Sequence, residues 1–174
     1  MKKQIYVDRS KPFCLPESTT QEFGSFTITE QDSRAAKIDL FTLNDVHLVS
    51  LDGKDLITAK EYRAKLLEEE YVPLDAFCAS AIYKDAGLIR ELSSMWFDRH
   101  WYLGSNQDLE TINFFGSRLS DGVREHVLSF NYERGLWKRR GVATMIPYEA
   151  DDIGWAMNRD YALVFERKFV AQHL

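Results

Sequence analysis

The sequence predicts an α+β protein in which a helical segment separates two strand-rich parts. In both outer parts, apolar and polar residues alternate with a period of two, which is typical of half-buried strands. Over about 56–97, apolar residues recur at helical spacing instead. Strands, helices and strands in this order favour a mainly antiparallel sheet over regular βαβ alternation. With 174 residues and few Gly or Pro, we expect a single domain whose parts are 1–53, 54–100 and 108–170.

Four strands are predicted in the N-terminal part. Phe26 and Ile28 alternate with two threonines, and His47 alternates with apolar residues in a later run. We expect His47 to be a core or edge histidine rather than a ligand. Asn44 and Asp45 predict a tight turn before the last strand, because both residue types favour turns. The predicted strands are 5–7, 26–29, 38–42 and 46–51.

The middle part opens with the signal of a helix N-terminus. Thr58 is followed by Glu61 at the spacing of a capping box, in which each side chain accepts a hydrogen bond from the other residue's backbone N–H. We expect a helix over 58–71. It should fray early, because the acidic run 68–70 is unfavourable at a helix C-terminus.

Two further helical runs follow this helix. Pro73 suits the first turn of a second helix, because an N–H has no intrahelical partner at that position. Asp85 suits the cap of a third run, whose apolar residues continue to Met95 and Trp96. Gly87 lies where the two runs meet, and it leaves open whether they form one helix or two.

The C-terminal part again predicts strands. The predicted strands are 112–115, 127–132, 137–146 and 161–169. In the last of them, Leu163 and Phe165 share one face by alternation. The acidic cluster 149–152 has the chemistry of a cation site, but we interpret it as the cap of a short helix over 153–157.

Charge and composition disfavour several classes of function. The chain has 22 Lys and Arg against 27 Asp and Glu, a net charge of −5. Nucleic acid is therefore a disfavoured partner, since proteins that bind phosphates usually carry excess positive charge. No apolar run approaches the roughly 20 residues of a membrane span, and no apolar leader follows Met1. Cys14 and Cys78 form no disulfide framework, so we expect free thiols and a cytoplasmic protein.

The sequence contains none of the common catalytic or cofactor motifs. It has no Walker loop, no Gly-rich dinucleotide loop, no HExxH, no CxxC pair and no GxSxG elbow. No two histidines stand at a metal-ligand spacing. We therefore expect no cofactor and no metal, and the balance shifts from catalysis toward binding.

The densest candidate binding site is the aromatic run 96–102. Trp96 and Trp101 stand there beside Asp98 and His100. Tryptophan is a frequent anchor of protein interfaces. A catalytic Asp98–His100 pair is disfavoured, because residues two apart do not face each other on a helix. We expect the aromatic side chains to close the core and the charged side chains to face water; the alternative is that these four candidate residues bind a partner.

The run 138–145 resembles the acyl-CoA pyrophosphate loop of the N-acetyltransferase superfamily. That loop has a basic residue or Gln three positions before a Gly, and a second Gly or Ala two positions after it. The matching residues and their basic neighbours are Lys138, Arg139, Arg140, Gly141 and Ala143. The resemblance implies that backbone N–H groups hold the pyrophosphate. Pro147 departs from the family because it falls where the next helix should run, so we expect an exposed basic strand that binds no acyl-CoA.

We expect a non-enzymatic protein that inhibits or regulates another protein. A small acidic domain with abundant Trp and Tyr suits this role, because these side chains dominate interface energetics. The biological setting that we expect is a bacteriophage, a mobile element or a toxin–immunity pair. This expectation comes from the overall character of the sequence and not from any particular residue. A divergent acyltransferase using 138–144 is the first alternative, and a phage structural or assembly subunit is the second. The oligomeric state is left open.

Overall fold

The computed structural model describes residues 2–13, 25–50, 56–100, 109–133, 142–148, 155–156 and 160–173. It confirms the α+β class. The helices are α1 (Ala59–Glu68), α2 (Ala76–Tyr83), α3 (Ala86–His100) and α4 (Arg167–Ala171), and two 3-10 turns cover Ala35–Lys37 and Leu43–Asp45. The second and third helical runs are therefore two helices.

The described strands form one large sheet and two small ribbons. They are β1 (Ile5–Tyr6), β2 (Thr27–Gln31), β3 (Leu40–Phe41), β4 (Val46–Val49), β5 (Leu56–Ile57), β6 (Val72–Pro73), β7 (Leu109–Ser120), β8 (Glu125–Glu133), β9 (Val142–Pro147), β10 (Trp155–Ala156) and β11 (Asp160–Phe165). The large sheet has the order β4-β11-β7-β8-β9, with β2 also paired to β7 and β6 also paired to β11. The ribbons are β1-β3 and β5-β10.

The large sheet is mixed, although most of its pairs are antiparallel as expected. β11 runs parallel to β7, with Tyr161 opposite Ile112. It runs antiparallel to β4 and to β6, with Phe165 opposite both Val46 and Val72. The parallel pair arises because β7 and β11 are far apart in the chain, so a long connection is available to reverse the direction of the later strand.

Alternating residues of β11 point into two separate cores. Leu163 and Phe165 belong to a core shared with α2 and α3, whereas Ala162 and Val164 belong to a core shared with α1. The alternation predicted for this strand is confirmed. In the smaller core, the ring of Tyr62 from α1 stacks on Phe115 of β7, with ring centroids 4.9 Å apart. The sheet is thus covered by helices on both faces.

Gly116 allows the backbone of the β6 segment to approach the middle of β7. The Gly116 N–H donates to the carbonyl of Leu74 at 2.9 Å. A Cβ at this position would lie 2.5 Å from the carbonyl oxygen of Pro73, closer than non-bonded atoms allow. Only glycine fits this approach without displacing the segment.

The capping box predicted for the first helix is confirmed. The Thr58 hydroxyl accepts from the N–H of Glu61 at 3.1 Å, and the Glu61 carboxylate accepts from the N–H of Thr58. The helix ends at Glu68, the first residue of the acidic run 68–70 that was expected to fray it, rather than at 71. Asp85 also caps as predicted, since its carboxylate accepts from the N–H groups of Gly87 and Leu88.

The predicted role of Pro73 is wrong. Pro73 lies in β6, and the cap of α2 is Asp75, whose carboxylate accepts from the N–H of Cys78 at 2.9 Å. Pairing of this segment with β11 outweighs the local preference of proline for a helix start, because the Leu74 N–H is satisfied by the Leu163 carbonyl.

Two C-terminal predictions are corrected as well. The strand predicted over 161–169 ends at Phe165, and α4 follows. The short helix predicted over 153–157 is contradicted by Trp155 and Ala156, which form β10 and pair with β5. In the N-terminal part, the turn at Asn44 is a 3-10 turn capped by the Thr42 side chain.

Candidate functional site

The predicted binding residues lie at the end of α3 or beyond it. Trp96, Asp98 and His100 belong to this helix, but the positions of their side chains are outside the described part of the structure. Trp101 lies outside the described residues altogether. Whether these residues form a binding site therefore stays a prediction.

The first half of the acyl-CoA loop predicted as the alternative site, residues 138–141, falls outside the described residues. Lys138, Arg139, Arg140 and Gly141 are not described. Ala143 lies in β9, in register with Phe130 of β8. The described half of the loop, residues 142–145, thus belongs to a sheet strand.

A different site is visible where the C-terminal end of α1 meets α4. A cleft of about 240 Å³ opens there, and we refer to it as the arginine cleft. Its lining residues are Arg34, Glu70, Val72, Phe165, Arg167, Val170 and Ala171. The floor contains buried apolar side chains of β6, β11 and α4. The charged lining residues are Arg34, which is half-exposed, and Glu70 and Arg167, which are exposed.

Arg34 is held in place by the buried carboxylate of Asp32. The two side chains form a paired contact, with Nε–Oδ1 and Nη2–Oδ2 distances of 3.2 and 2.9 Å. Arg34 Nη2 also donates to the Tyr71 carbonyl at 3.2 Å. Burial by itself would raise the pKa of Asp32, but hydrogen bonds from Arg34 and Ala35 outweigh it, so the pKa lies below its ordinary value. Asp32 is therefore ionised at neutral pH and fixes the Arg34 guanidinium.

Arg167 is the first residue of α4 and is separated from the end of β11 by Glu166. Its guanidinium carbon lies 5.1 Å from the centroid of the Tyr71 ring, and its Nη2 donates to the Glu69 carbonyl at 2.5 Å. The ring of Tyr71 also meets the His47 ring edge-on, and His47 Nδ1 lies 2.5 Å from a carboxylate oxygen of Glu166. Tyr71 thus connects the cleft to β4.

Glu70 has an unusual backbone conformation at the cleft. Its φ of 61° is the only positive value among the described non-glycine residues. The left-handed conformation ends α1, and the N–H of Tyr71 then donates back to the carbonyl of Leu66. Glycine or asparagine is favoured at such a position, so a glutamate there carries a cost in backbone strain.

Two other charged clusters serve the fold. Arg9 donates to the fully buried Asp75 carboxylate at 2.6 Å and to the carbonyls of Ala35 and Ile38, which fastens the N-terminal segment to α2. Cys78 lies beside this pair and is fully buried, and burial raises the pKa of its thiol well above the ordinary value. A thiol in this state is unreactive.

The second cluster lies on the sheet itself. Arg118 of β7 pairs with Glu30 of β2 and with Glu125 of β8, at 3.2 Å in the second case. Arg63 of α1 donates to Glu30 at 2.8 Å and to the Phe115 carbonyl at 3.1 Å. The charges in this cluster balance, and its contacts join three strands to a helix.

Within the described residues, no group of His, Cys, Asp and Glu side chains is arranged to hold a metal ion. The described helices include none that is long and apolar enough to cross a membrane. Comparison of the chain with protein-family models, with curated proteins and with solved structures found no match. Function is therefore inferred from the residues of the arginine cleft.

Sequence reasoning did not select the residues of this cleft. Arg34, Glu70 and Arg167 come from three distant parts of the chain, and each looks like an ordinary surface charge in its local sequence. The left-handed conformation of Glu70 was visible only in the structure, because many helices end without a residue in that conformation.

Proposed function

We propose that this protein is a non-enzymatic inhibitor or regulator that binds another protein through the arginine cleft. The proposal rests on one observation: a single cleft combines two positioned guanidinium groups with an apolar floor. Arginine and tyrosine are enriched at the energetic centres of protein interfaces. The proposed partner is an intracellular protein, and the proposed setting is the cytoplasm of a cell that carries a phage or mobile element.

The size of the cleft supports a protein partner over a cofactor. Sites for cofactors and drug-sized ligands commonly enclose roughly 300–1,000 Å³. The arginine cleft encloses about 240 Å³. It suits a single residue that projects from a larger partner.

Partner capture from an extract of the native host tests the proposal. The wild-type protein should retain one stoichiometric partner, and an Arg167→Gln variant should lose it. Lys168→Gln is the matched control, because Lys168 is exposed on the same helix but does not line the cleft. Absence of a stoichiometric partner, or equal retention by Arg167→Gln, would contradict the proposal.

Two further measurements separate the alternatives. An acyltransferase should bind acetyl-CoA in a calorimetric titration. A structural or assembly subunit should self-associate as its concentration rises in sedimentation experiments. We expect neither result.

A further inference from the structure

The arginine cleft presents hydrogen-bond donors that the described residues leave unused. Nη1 of Arg34 makes no hydrogen bond within the described part of the chain, and the same holds for Nε and Nη1 of Arg167. Both guanidinium groups are nevertheless fixed, one by Asp32 and the other by Tyr71 and the Glu69 carbonyl. Positioned guanidinium donors of this kind bind carboxylates strongly and with defined geometry.

The floor of the same cleft is apolar. Val72, Phe165 and Val170 are buried, and Phe165 is the least exposed of them, at 1 %. A ligand that covers this floor needs an apolar group next to its carboxylate. In an extended chain, neighbouring side chains point to opposite sides, so an internal acidic residue and its apolar neighbour do not enter one small cleft together. A C-terminal apolar residue carries both groups on one residue.

We propose that the arginine cleft captures the C-terminal residue of a partner protein. The free carboxylate binds the unused donors of Arg34 and Arg167, and the apolar side chain covers the floor. The inference rests on the proposed function, since it names the part of the partner that enters the cleft. Capture of a chain terminus is an established mode of peptide recognition.

Glu70 is consistent with this ligand and disfavours a more highly charged one. Its side chain makes no hydrogen bond or ion pair with the described residues, so its carboxylate is available to accept from the backbone N–H of the terminal residue. Its negative charge repels a doubly charged phosphate more than a single carboxylate. The cleft therefore offers one acceptor for the N–H of a terminal residue and several donors for its free carboxylate.

N-acetyl-leucine is the probe that tests this proposal directly. We expect saturable binding in the millimolar range, followed by NMR, with shift changes centred on Val72, Val170 and Ala171. N-acetyl-leucinamide, which lacks the charge, should bind more weakly by a factor of about ten or more, because a charge-assisted hydrogen bond is lost. Equal binding of the two probes, or no binding of N-acetyl-leucine, would overturn the proposal.

A peptide control distinguishes a chain terminus from an internal acidic residue. Acetyl-Ala-Leu-Asp-Ala-amide places a carboxylate beside leucine without a free terminus. We expect it to bind about tenfold more weakly than N-acetyl-leucine. Binding as strong as that of N-acetyl-leucine would overturn the proposal in favour of an acidic side chain.

Substitutions then assign the binding to the arginines. Arg167→Gln should weaken binding of N-acetyl-leucine about tenfold, whereas Lys168→Gln should leave it unchanged. Thermal unfolding of both variants checks that the fold is intact, and the shift map of the unsubstituted protein tests the site without any variant. If a partner is captured through Arg167 but N-acetyl-leucine does not bind, the terminal-residue proposal fails and the proposed function stands. If N-acetyl-leucine binds in the cleft but no partner is captured, the proposed function fails instead.

Discussion

The guanidinium of Arg167 lies over the ring of Tyr71, 5.1 Å from its centroid. This contact joins the first residue of α4, two positions after the end of β11, to the residue that precedes β6. Strands β6 and β11 are paired in the sheet. It keeps Arg167 at the arginine cleft although the arginine is exposed to solvent. The contact therefore contributes both to the stability of this corner and to the geometry of the cleft.

A double-mutant cycle measures this contact. Tyr71→Leu retains apolar packing but removes the ring, and Arg167→Gln removes the charge. We expect a coupling of about 0.5–1 kcal/mol in the free energy of unfolding, the usual range for an exposed cation–π pair. Urea denaturation of the wild type, both single variants and the double variant gives this value. Strict additivity would show that the contact contributes nothing to stability.

The protein should be less stable with glutamate at position 70 than with glycine there. Glu70→Gly removes the cost of a left-handed conformation and should raise the free energy of unfolding by about 0.5–1 kcal/mol. Glu69→Gly is the matched control, because the neighbouring Glu69 has a φ of −81° and no such cost. The control should be destabilised or unchanged. A loss of stability in Glu70→Gly would mean that its carboxylate has a structural partner.

The first helix should depend on its capping box. Thr58→Ala removes the acceptor for the Glu61 N–H and should cost about 0.5–2 kcal/mol of stability. Ser94→Ala is a suitable control, because this serine is exposed within α3 and bonds only to the carbonyl one turn earlier. The control should stay within about 0.5 kcal/mol of wild type. Equal effects in chemical denaturation would show that the cap is not a stabilising feature.

His126 should make the protein less stable in mild acid. Its side chain is 7 % exposed, and burial lowers its pKa, although Asp121 at 4.0 Å opposes the shift. The unfolded chain therefore binds a proton at higher pH than the folded protein does. The free energy of unfolding should fall as pH falls from the ordinary histidine value of 6.5 toward the lower folded value.

Comparison of variants separates the contribution of His126 to the pH dependence of stability from that of the carboxylates, which titrate at lower pH. His126→Leu should lose the fall in stability between about pH 7 and pH 5, measured by urea denaturation. His173→Gln is the control, because His173 is exposed. This variant should keep the wild-type dependence of the free energy of unfolding on pH. An unchanged profile in His126→Leu would assign the acid sensitivity to other groups.

The candidate site shows what local sequence patterns lack. The Asp32–Arg34 pair is local, but the ring of Tyr71 and the carbonyl of Glu69 position Arg167 across a long stretch of chain, and no spacing encodes these two contacts. They exist because α1, the Ala35–Lys37 turn and α4 converge beside the paired strands β6 and β11. The aromatic run at the end of α3 was prominent in the sequence because its residues are neighbours in the chain, and its role stays a prediction.

The sequence by itself determined the features whose energetics are local. The cap at Thr58, the cap at Asp85 and the alternation of Leu163 and Phe165 depend on residues within one turn or one strand, so they were predicted correctly. The tertiary structure alone decided that Pro73 lies in a strand, that β11 runs parallel to β7, and that α4 follows Phe165. In each case a long-range pairing satisfies backbone groups and buries apolar surface, and that gain exceeds the small local preferences a sequence displays.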